Sequence, residues 1–157
     1  MKPALVWVDP QVADKPLVRE ARKLYPEALF VITEKKPPEL LRPVSPKRAL
    51  RIAPFNPPAV RPIREGERSV WDRPEGYLAC GVGCPAACKY CVLKICCPVE
   101  VPTLYGDIEA ILKDLRKTLA SGQSWYLHLG HIYDPLAYRL SFVLIRELAT
   151  VLKTYPS

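Results

Sequence analysis

The sequence predicts an α/β protein made of a small N-terminal βαβ module and the first βα units of a partial, truncated (β/α) barrel. Three observations support this class. Residues 1–34 hold two short apolar segments on either side of a segment with helical periodicity. Residues 35–75 hold nine prolines and separate the two ordered parts. Residues 76–157 alternate between strand-like and helix-like segments around a dense group of cysteines.

The N-terminal module is predicted from apolar runs at residues 4–8 and 28–32. Between these runs, apolar residues recur at helical spacing from Leu17 to Leu24, and Pro26 ends the pattern. Strands that are apolar throughout are typical of parallel sheets covered on both faces. We therefore expect two parallel strands joined by a right-handed helical crossover.

Residues 35–75 form a connector rich in proline and in positive charge. Repeated proline forbids a long helix, and residues 48–53 are the only segment here with a strand pattern. Between Lys35 and Arg73 there are ten basic and four acidic residues, so this stretch carries most of the net charge of +7. Such a stretch suits a solvated linker and a phosphate-contacting segment equally. Nucleic acid bound through residues 35–73 is therefore a candidate partner.

The C-terminal part follows the order strand, helix, strand, helix. Residues 76–79 have the pattern of a strand that enters the cysteine-rich segment, and residues 107–120 place their apolar side chains on one helical stripe. Residues 125–129 form a second strand pattern that ends at a glycine. A last helix is predicted from about residue 139 to residue 153.

Composition excludes several classes of protein. No apolar run approaches the roughly 18 residues of a membrane helix, and acidic residues soon after the N-terminus argue against a signal peptide. We therefore expect a cytoplasmic protein with no membrane partner. The chain has 18 prolines but only one asparagine, two glutamines and one methionine, which are side chains that thermophilic proteins avoid. This bias predicts a thermophilic source.

Six cysteines lie within 18 residues, from Cys80 to Cys97. A disulfide scaffold spreads its cysteines along the chain, so this density indicates a metal site. Cys84, Cys88 and Cys91 follow the spacing C-x3-C-x2-C, which lets three thiolates from one loop face one metal centre. Three soft ligands suit an iron–sulfur cluster with one iron left for a non-protein ligand. A structural zinc site that uses one of the other three cysteines as its fourth ligand is the alternative.

The segment with this spacing resembles the radical S-adenosylmethionine superfamily, and more of the chain is similar to its spore photoproduct lyase-like family of DNA repair enzymes. The resemblance rests on a Gly-x-x-Cys entry, the run Cys-Lys-Tyr-Cys-Val-Leu and the helix start Leu-Tyr-Gly-Asp-Ile, in that order. It covers only the N-terminal part of the family's chains. It implies a partial radical S-adenosylmethionine barrel whose activity is the reductive cleavage of S-adenosylmethionine.

The same resemblance implies the cofactors and the site residues. Cys84, Cys88 and Cys91 would hold a [4Fe-4S] cluster, and its fourth iron would bind the methionyl amino and carboxylate groups of S-adenosylmethionine. Four further residues would contact that cofactor, namely Tyr90 at its adenine and Gly130, His131 and Asp134 near its methionyl group. A flavodoxin or a ferredoxin would serve as the electron donor.

The chain departs from the family in two respects. Lyase members carry a hydrogen-donating cysteine at the end of a barrel strand where this sequence has His131, and histidine cannot replace a thiol in that role. Seventy-three residues follow Cys84, which is room for about two βα units. We therefore expect a second polypeptide or a homo-oligomer to complete the barrel. The alternative is a non-catalytic interaction or nucleic-acid-binding fragment stabilised by zinc or by a cluster, and a packing role for Tyr90 or His128 also stays open.

Overall fold

The structure is a computed structural model that describes residues 1–35, 48–63, 74–86, 88–91, 99–130 and 133–155. It confirms a mixed α/β fold with parallel β-structure. The strands in these residues are β1 Leu5–Val8, β2 Leu29–Ile32, β3 Ala49–Ala53, β4 Val60–Pro62, β5 Glu75–Leu78, β6 Gly81–Val82, β7 Thr103–Tyr105 and β8 Tyr126–Leu129. One sheet has the strand order β2-β1-β3-β7-β6, and the other has the order β4-β5-β8.

The helices in the same residues are α1 Pro16–Leu24, α2 Ile108–Leu119 and α3 Ser141–Leu152. Their bounds lie within two residues of those that the apolar periodicity predicts. None of the helices in the described part of the chain is long and apolar enough to cross a lipid bilayer.

The first strand, β1, is apolar at every position and fully buried. It pairs in parallel with β2, in a register that sets Leu5 opposite Leu29. Helix α1 connects the two strands and packs Leu17, Val18 and Ala21 into the core. The predicted βαβ unit is therefore present. The expectation that both strands are buried is wrong for β2, which lies at the edge of the sheet with Leu29 52% and Ile32 50% exposed.

The sheet of the N-terminal unit continues into later parts of the chain. Strand β3 pairs in parallel with β1, and β7 pairs in parallel with β3, so that Arg51 lies opposite Thr103. Strand β6 then adds antiparallel to β7. Strands β6 and β7 have no signal in the sequence, because two and three residues are too few to show a period of two. The division of the chain after residues 34 and 75 stays a prediction.

Strand β4 corrects the expectation that residues 48–53 form the only strand between residues 35 and 75. Val60–Pro62 pairs antiparallel with β5, with Val60 opposite Leu78. Strand β4 lies at the edge of its sheet, and a proline is tolerated there because its missing N–H is not needed by a second neighbour. Pro62 therefore disfavours a central strand at residues 60–62 but allows an edge strand there.

The barrel-like part of the fold is the unit β5–α2–β8 with α3 after it. Strands β5 and β8 are parallel neighbours. Helix α2 begins after Asp107, whose Oδ1 accepts the backbone N–H of Ala110 at 3.2 Å and so satisfies one amide of the first turn. The predicted apolar stripe of α2 is buried against α3 and one face of the β5–β8 pair. The carboxyl ends of β5 and β8 consequently open at the same edge of the sheet.

Candidate functional site

The candidate site is the edge at which the carboxyl ends of β5 and β8 meet. The two strands run in parallel register up to Leu78 opposite Leu129. Further along, an isolated parallel bridge pairs Gly83 with Tyr133. Cys84 and Asp134 directly follow the two bridged residues, so the cysteine loop and the predicted methionyl-binding segment lie side by side. Parallel α/β folds place ligands at this end of their strands.

Two glycines allow this close approach. Gly83 has a φ of +76° and Gly130 a φ of +88°, a region that side chains other than glycine rarely adopt. A Cβ atom on Gly83 would lie 2.6 Å from Cγ1 of Val99, and one on Gly130 would lie 2.7 Å from the backbone oxygen of Tyr133. The backbone path of the site therefore requires glycine at both positions. At Gly130 this requirement is independent of the predicted contact with the cofactor.

The three cysteines of the predicted cluster lie on one loop and are all partly buried. The Ala86 N–H points at Sγ of Cys84 at 3.4 Å, and the Cys91 N–H donates to the Cys88 carbonyl at 3.3 Å. These contacts turn the chain tightly between residues 84 and 91. In the part of the chain that the structure describes, no three His, Cys, Asp or Glu side chains converge as a metal site. Their assignment as ligands stays a prediction.

The donor set itself fits an iron–sulfur cluster. Three thiols on a short loop at a strand end, accessible from one side, are the ligands that iron–sulfur clusters use. Ligands of this kind commonly come together only when the metal binds. Cys80 is different, because it is fully buried behind the loop, and burial raises the pKa of its thiol to about 12. Cys96 and Cys97, the other two cysteines that could complete a zinc site, lie outside the described residues.

Tyr90 lies next to Cys91 and is 92% exposed. The structure therefore removes the alternative that Tyr90 is a core aromatic residue. A large aromatic ring held at the surface beside the cysteine loop is placed where it can cover a bound ring. Its predicted contact with adenine stays a prediction.

Asp134 is exposed at the end of the segment that follows β8. Its Oδ1 accepts the backbone N–H of Leu136 at 2.8 Å, and its carbonyl oxygen accepts the N–H of Ala137 at 3.2 Å. The carboxylate is thus held at the rim by its own turn and faces solvent beside the cysteine loop. His131, the other predicted residue of this segment, lies outside the described residues.

A layer of buried hydroxyl groups supports the site from behind, and the sequence did not predict it. Tyr133 shares a hydrogen bond with Ser141, Tyr138 donates to the Ala49 carbonyl at 3.2 Å, and Tyr25 accepts the backbone N–H of Leu140 at 3.2 Å. Burial raises the pKa of all three tyrosines above the usual range. The phenols therefore stay neutral and tie the site to the first sheet.

The raised pKa of Cys80 predicts a loss of stability in alkali. The folded thiol keeps its proton up to about pH 12, while the unfolded thiol loses it near pH 9. The contribution of Cys80 is thus complete below the unfolded pKa and is lost as the pH rises toward the folded pKa. From about pH 8 to about pH 10, we expect the free energy of unfolding of the wild type to fall about 1 kcal/mol more than that of Cys80→Ala. Guanidinium unfolding at both pH values measures this, and equal losses in the two proteins would contradict it.

No protein-family model and no curated protein sequence matches the chain. Solved structures of spore photoproduct lyase match its fold. A point mutant of that enzyme gives a TM-score of 0.72 at 14% identity, over 95% of this chain and 46% of its own. The enzyme complexed with dinucleoside spore photoproduct gives the same values. A double mutant with bound AdoMet and dinucleoside spore photoproduct gives a TM-score of 0.71 at 14% identity over the same shares of the two chains.

The likeness to spore photoproduct lyase is a likeness of fold. This chain spans about half the length of the lyase chains that it matches, since 46% of each is covered. The predicted resemblance to spore photoproduct lyase, and with it the partial (β/α) barrel, is confirmed at the level of the fold. At 14% identity, activity and ligands do not follow from the match.

Proposed function

We propose that Cys84, Cys88 and Cys91 hold a [4Fe-4S] cluster and that this chain, as part of a radical S-adenosylmethionine protein, takes part in the reductive cleavage of S-adenosylmethionine. The observation that carries the proposal is the parallel bridge between Gly83 and Tyr133. It brings the start of the cysteine loop, at Cys84, next to the segment that carries the exposed carboxylate of Asp134, at the carboxyl edge of a parallel strand pair. The fold of spore photoproduct lyase, one structure of which contains AdoMet, supports the same reading.

Each residue of the site has its own role in binding the cluster or S-adenosylmethionine. When bound and reduced, the cluster supplies the electron for cleavage of the sulfonium. The Asp134 carboxylate offers an acceptor for the N–H groups of the cofactor's amino group. The exposed ring of Tyr90 offers an apolar surface for its adenine. Behind them, the neutral phenols of Tyr133 and Tyr138 close the site toward the core and keep water out.

The proposed function needs three kinds of partner. A flavodoxin or a ferredoxin delivers the electron, in the reducing environment of the cytoplasm. A second polypeptide or a second copy of this chain supplies the barrel elements that enclose the reaction, because a radical has to be shielded from solvent. Nucleic acid is the proposed substrate class, since the net charge of +7 attracts a polyanion and the matched lyase is complexed with a dinucleoside. Basic residues of the 35–73 stretch would contact its phosphates.

Anaerobic reconstitution with iron and sulfide tests the proposal. The full chain is reduced and its EPR spectrum is recorded with and without S-adenosylmethionine. We expect a [4Fe-4S] signal that changes when the cofactor is added, because the cofactor binds the iron that no cysteine holds. A chain that takes up no cluster and instead retains about one zinc ion would contradict the proposal and favour the zinc-stabilised binding fragment.

A further inference from the structure

The β5–β8 pair has two faces of different character. Leu78, Leu127 and Leu129 belong to the apolar layer under α2 and α3. Because side chains alternate along a strand, the remaining positions point to the opposite face, and these are Glu75, Tyr77, Tyr126 and His128. Parallel strands normally carry aliphatic side chains on both faces. None of these four residues is aliphatic, so this face is not built as a dry packing layer.

The four side chains form one compact patch, here called the aromatic wall. In the strand register Glu75 lies opposite Tyr126, and Tyr77 lies opposite His128. The His128 ring sits between the two phenols, with its centroid 5.4 Å from that of Tyr77 and 5.0 Å from that of Tyr126. His128 Nε2 is 3.3 Å from Oε2 of Glu75. The His128 side chain is 39% exposed while that of Glu75 is 8% exposed, so the imidazole reaches solvent and the carboxylate is the more deeply buried of the pair.

Glu75 determines what the wall can recognise. An ionised carboxylate only accepts hydrogen bonds, so Nε2 of His128 carries the hydrogen between them. In the neutral ring the other nitrogen, Nδ1, is then an acceptor. The aromatic wall thus combines ring faces for stacking with an acceptor for a ligand N–H. A flat ring with N–H groups at its edge can stack on the ring faces and donate to this acceptor. Because the chain has a positive net charge, it attracts polyanions, and a nucleic acid is a polyanion that carries such rings.

We propose that the aromatic wall binds a nucleobase of a single-stranded nucleic acid and that His128, positioned by Glu75, selects bases with an edge N–H. The inference rests on the proposed nucleic-acid substrate and assigns it a contact surface. His128 lies two residues before Gly130 on β8, about 7 Å at the usual rise of a strand. A base stacked here lies beside the candidate site. The wall therefore reads the base, whereas basic side chains elsewhere contact only phosphates.

The test compares two labelled oligonucleotides of equal length and charge, an oligothymidylate and one in which the central bases are abasic. Fluorescence anisotropy gives the affinity of the full chain for each. We expect Tyr126→Leu and His128→Gln to bind oligothymidylate about tenfold more weakly, with no change for the abasic strand. The matched control is Phe142→Leu, which removes an aromatic ring that is exposed on α3 and leaves both affinities unchanged. Methylation at N3 of the thymines removes the edge N–H and is expected to weaken binding to the wild type but not to His128→Leu, whose side chain offers no acceptor.

Three results would overturn the aromatic wall. These are equal affinity of the wild type for both strands, loss of affinity for both strands in the two wall variants, and a loss of affinity for oligothymidylate in Phe142→Leu as large as in the wall variants. Thermal unfolding of each variant shows whether it is folded, and because Tyr126→Leu and His128→Gln change different positions, either one tests the wall if the other fails to fold. Iron content and EPR report separately on the proposed function. If the chain takes up no cluster but binds bases selectively, the proposed role of the aromatic wall is supported and only the proposed radical chemistry is contradicted.

Discussion

Replacing Cys88 with alanine is expected to abolish assembly of the [4Fe-4S] cluster, and Cys84→Ala and Cys91→Ala are expected to do the same. The proposed site uses three thiolates, one for each of three irons, and leaves the fourth iron to the cofactor. Removing one thiolate would leave two irons without a protein ligand, and we expect the cluster not to be retained. Iron and sulfide per chain after anaerobic reconstitution should fall about tenfold or more relative to the wild type. The visible absorbance of the cluster should be lost together with them.

The matched control for the triad is Cys80→Ala. Cys80 lies only four residues before Cys84, but it is fully buried and its thiol has a pKa raised to about 12. We expect Cys80→Ala to keep the iron, the sulfide and the response of the EPR signal to S-adenosylmethionine, with some loss of thermal stability from the cavity. If Cys80→Ala lost the cluster and Cys88→Ala retained it, the assignment of the ligands would be wrong.

The parts of the fold that the sequence predicts are those whose cause is local. The run of buried residues in β1 and the stripe of Ile111, Leu112 and Leu115 in α2 arise from a spacing that any short window displays. Strand β7 has no such signal, because it is three residues long and is fixed by pairing with β3, about fifty residues earlier. Its existence depends on a partner and not on its own pattern.

The candidate site divides in the same way. The three thiols and Tyr90 form one short motif, and the placement of Asp134 beside them follows from the rule that parallel strands end at the same edge. The buried phenols could not be predicted, because Tyr25 meets Leu140 across 115 positions of sequence. Because His128 alternates with leucines, the sequence leaves a packing role for it open. The structure places it opposite Tyr77, on the other face of the strand from those leucines, and the register with β5 that fixes these neighbours could not be predicted from β8 alone.

Replacing Gly130 with alanine is expected to destabilise the protein by about 3 kcal/mol, because two penalties coincide there. The backbone has a φ of +88°, which an alanine adopts only with strain. In addition, its Cβ would lie 2.7 Å from the backbone oxygen of Tyr133, an atom that cannot rotate away. Tyr133 is the residue that bridges to Gly83, so the shift would separate the cysteine loop from Asp134. Guanidinium unfolding measures the loss of stability.

Gly122→Ala separates the two penalties. Gly122 has a φ of +76°, close to that of Gly130, but a Cβ placed there meets no atom within 4 Å. We expect it to cost about 1 kcal/mol from backbone strain alone. The difference between the two variants then measures how tightly the bridged edge is packed, and Gly83→Ala, whose Cβ would approach Val99 at 2.6 Å, should resemble Gly130→Ala. Equal losses of unfolding free energy in Gly122→Ala and Gly130→Ala would mean that the backbone near Tyr133 can move to make room for a Cβ atom. The bridge between Gly83 and Tyr133 would then not be what holds the cysteine loop beside Asp134.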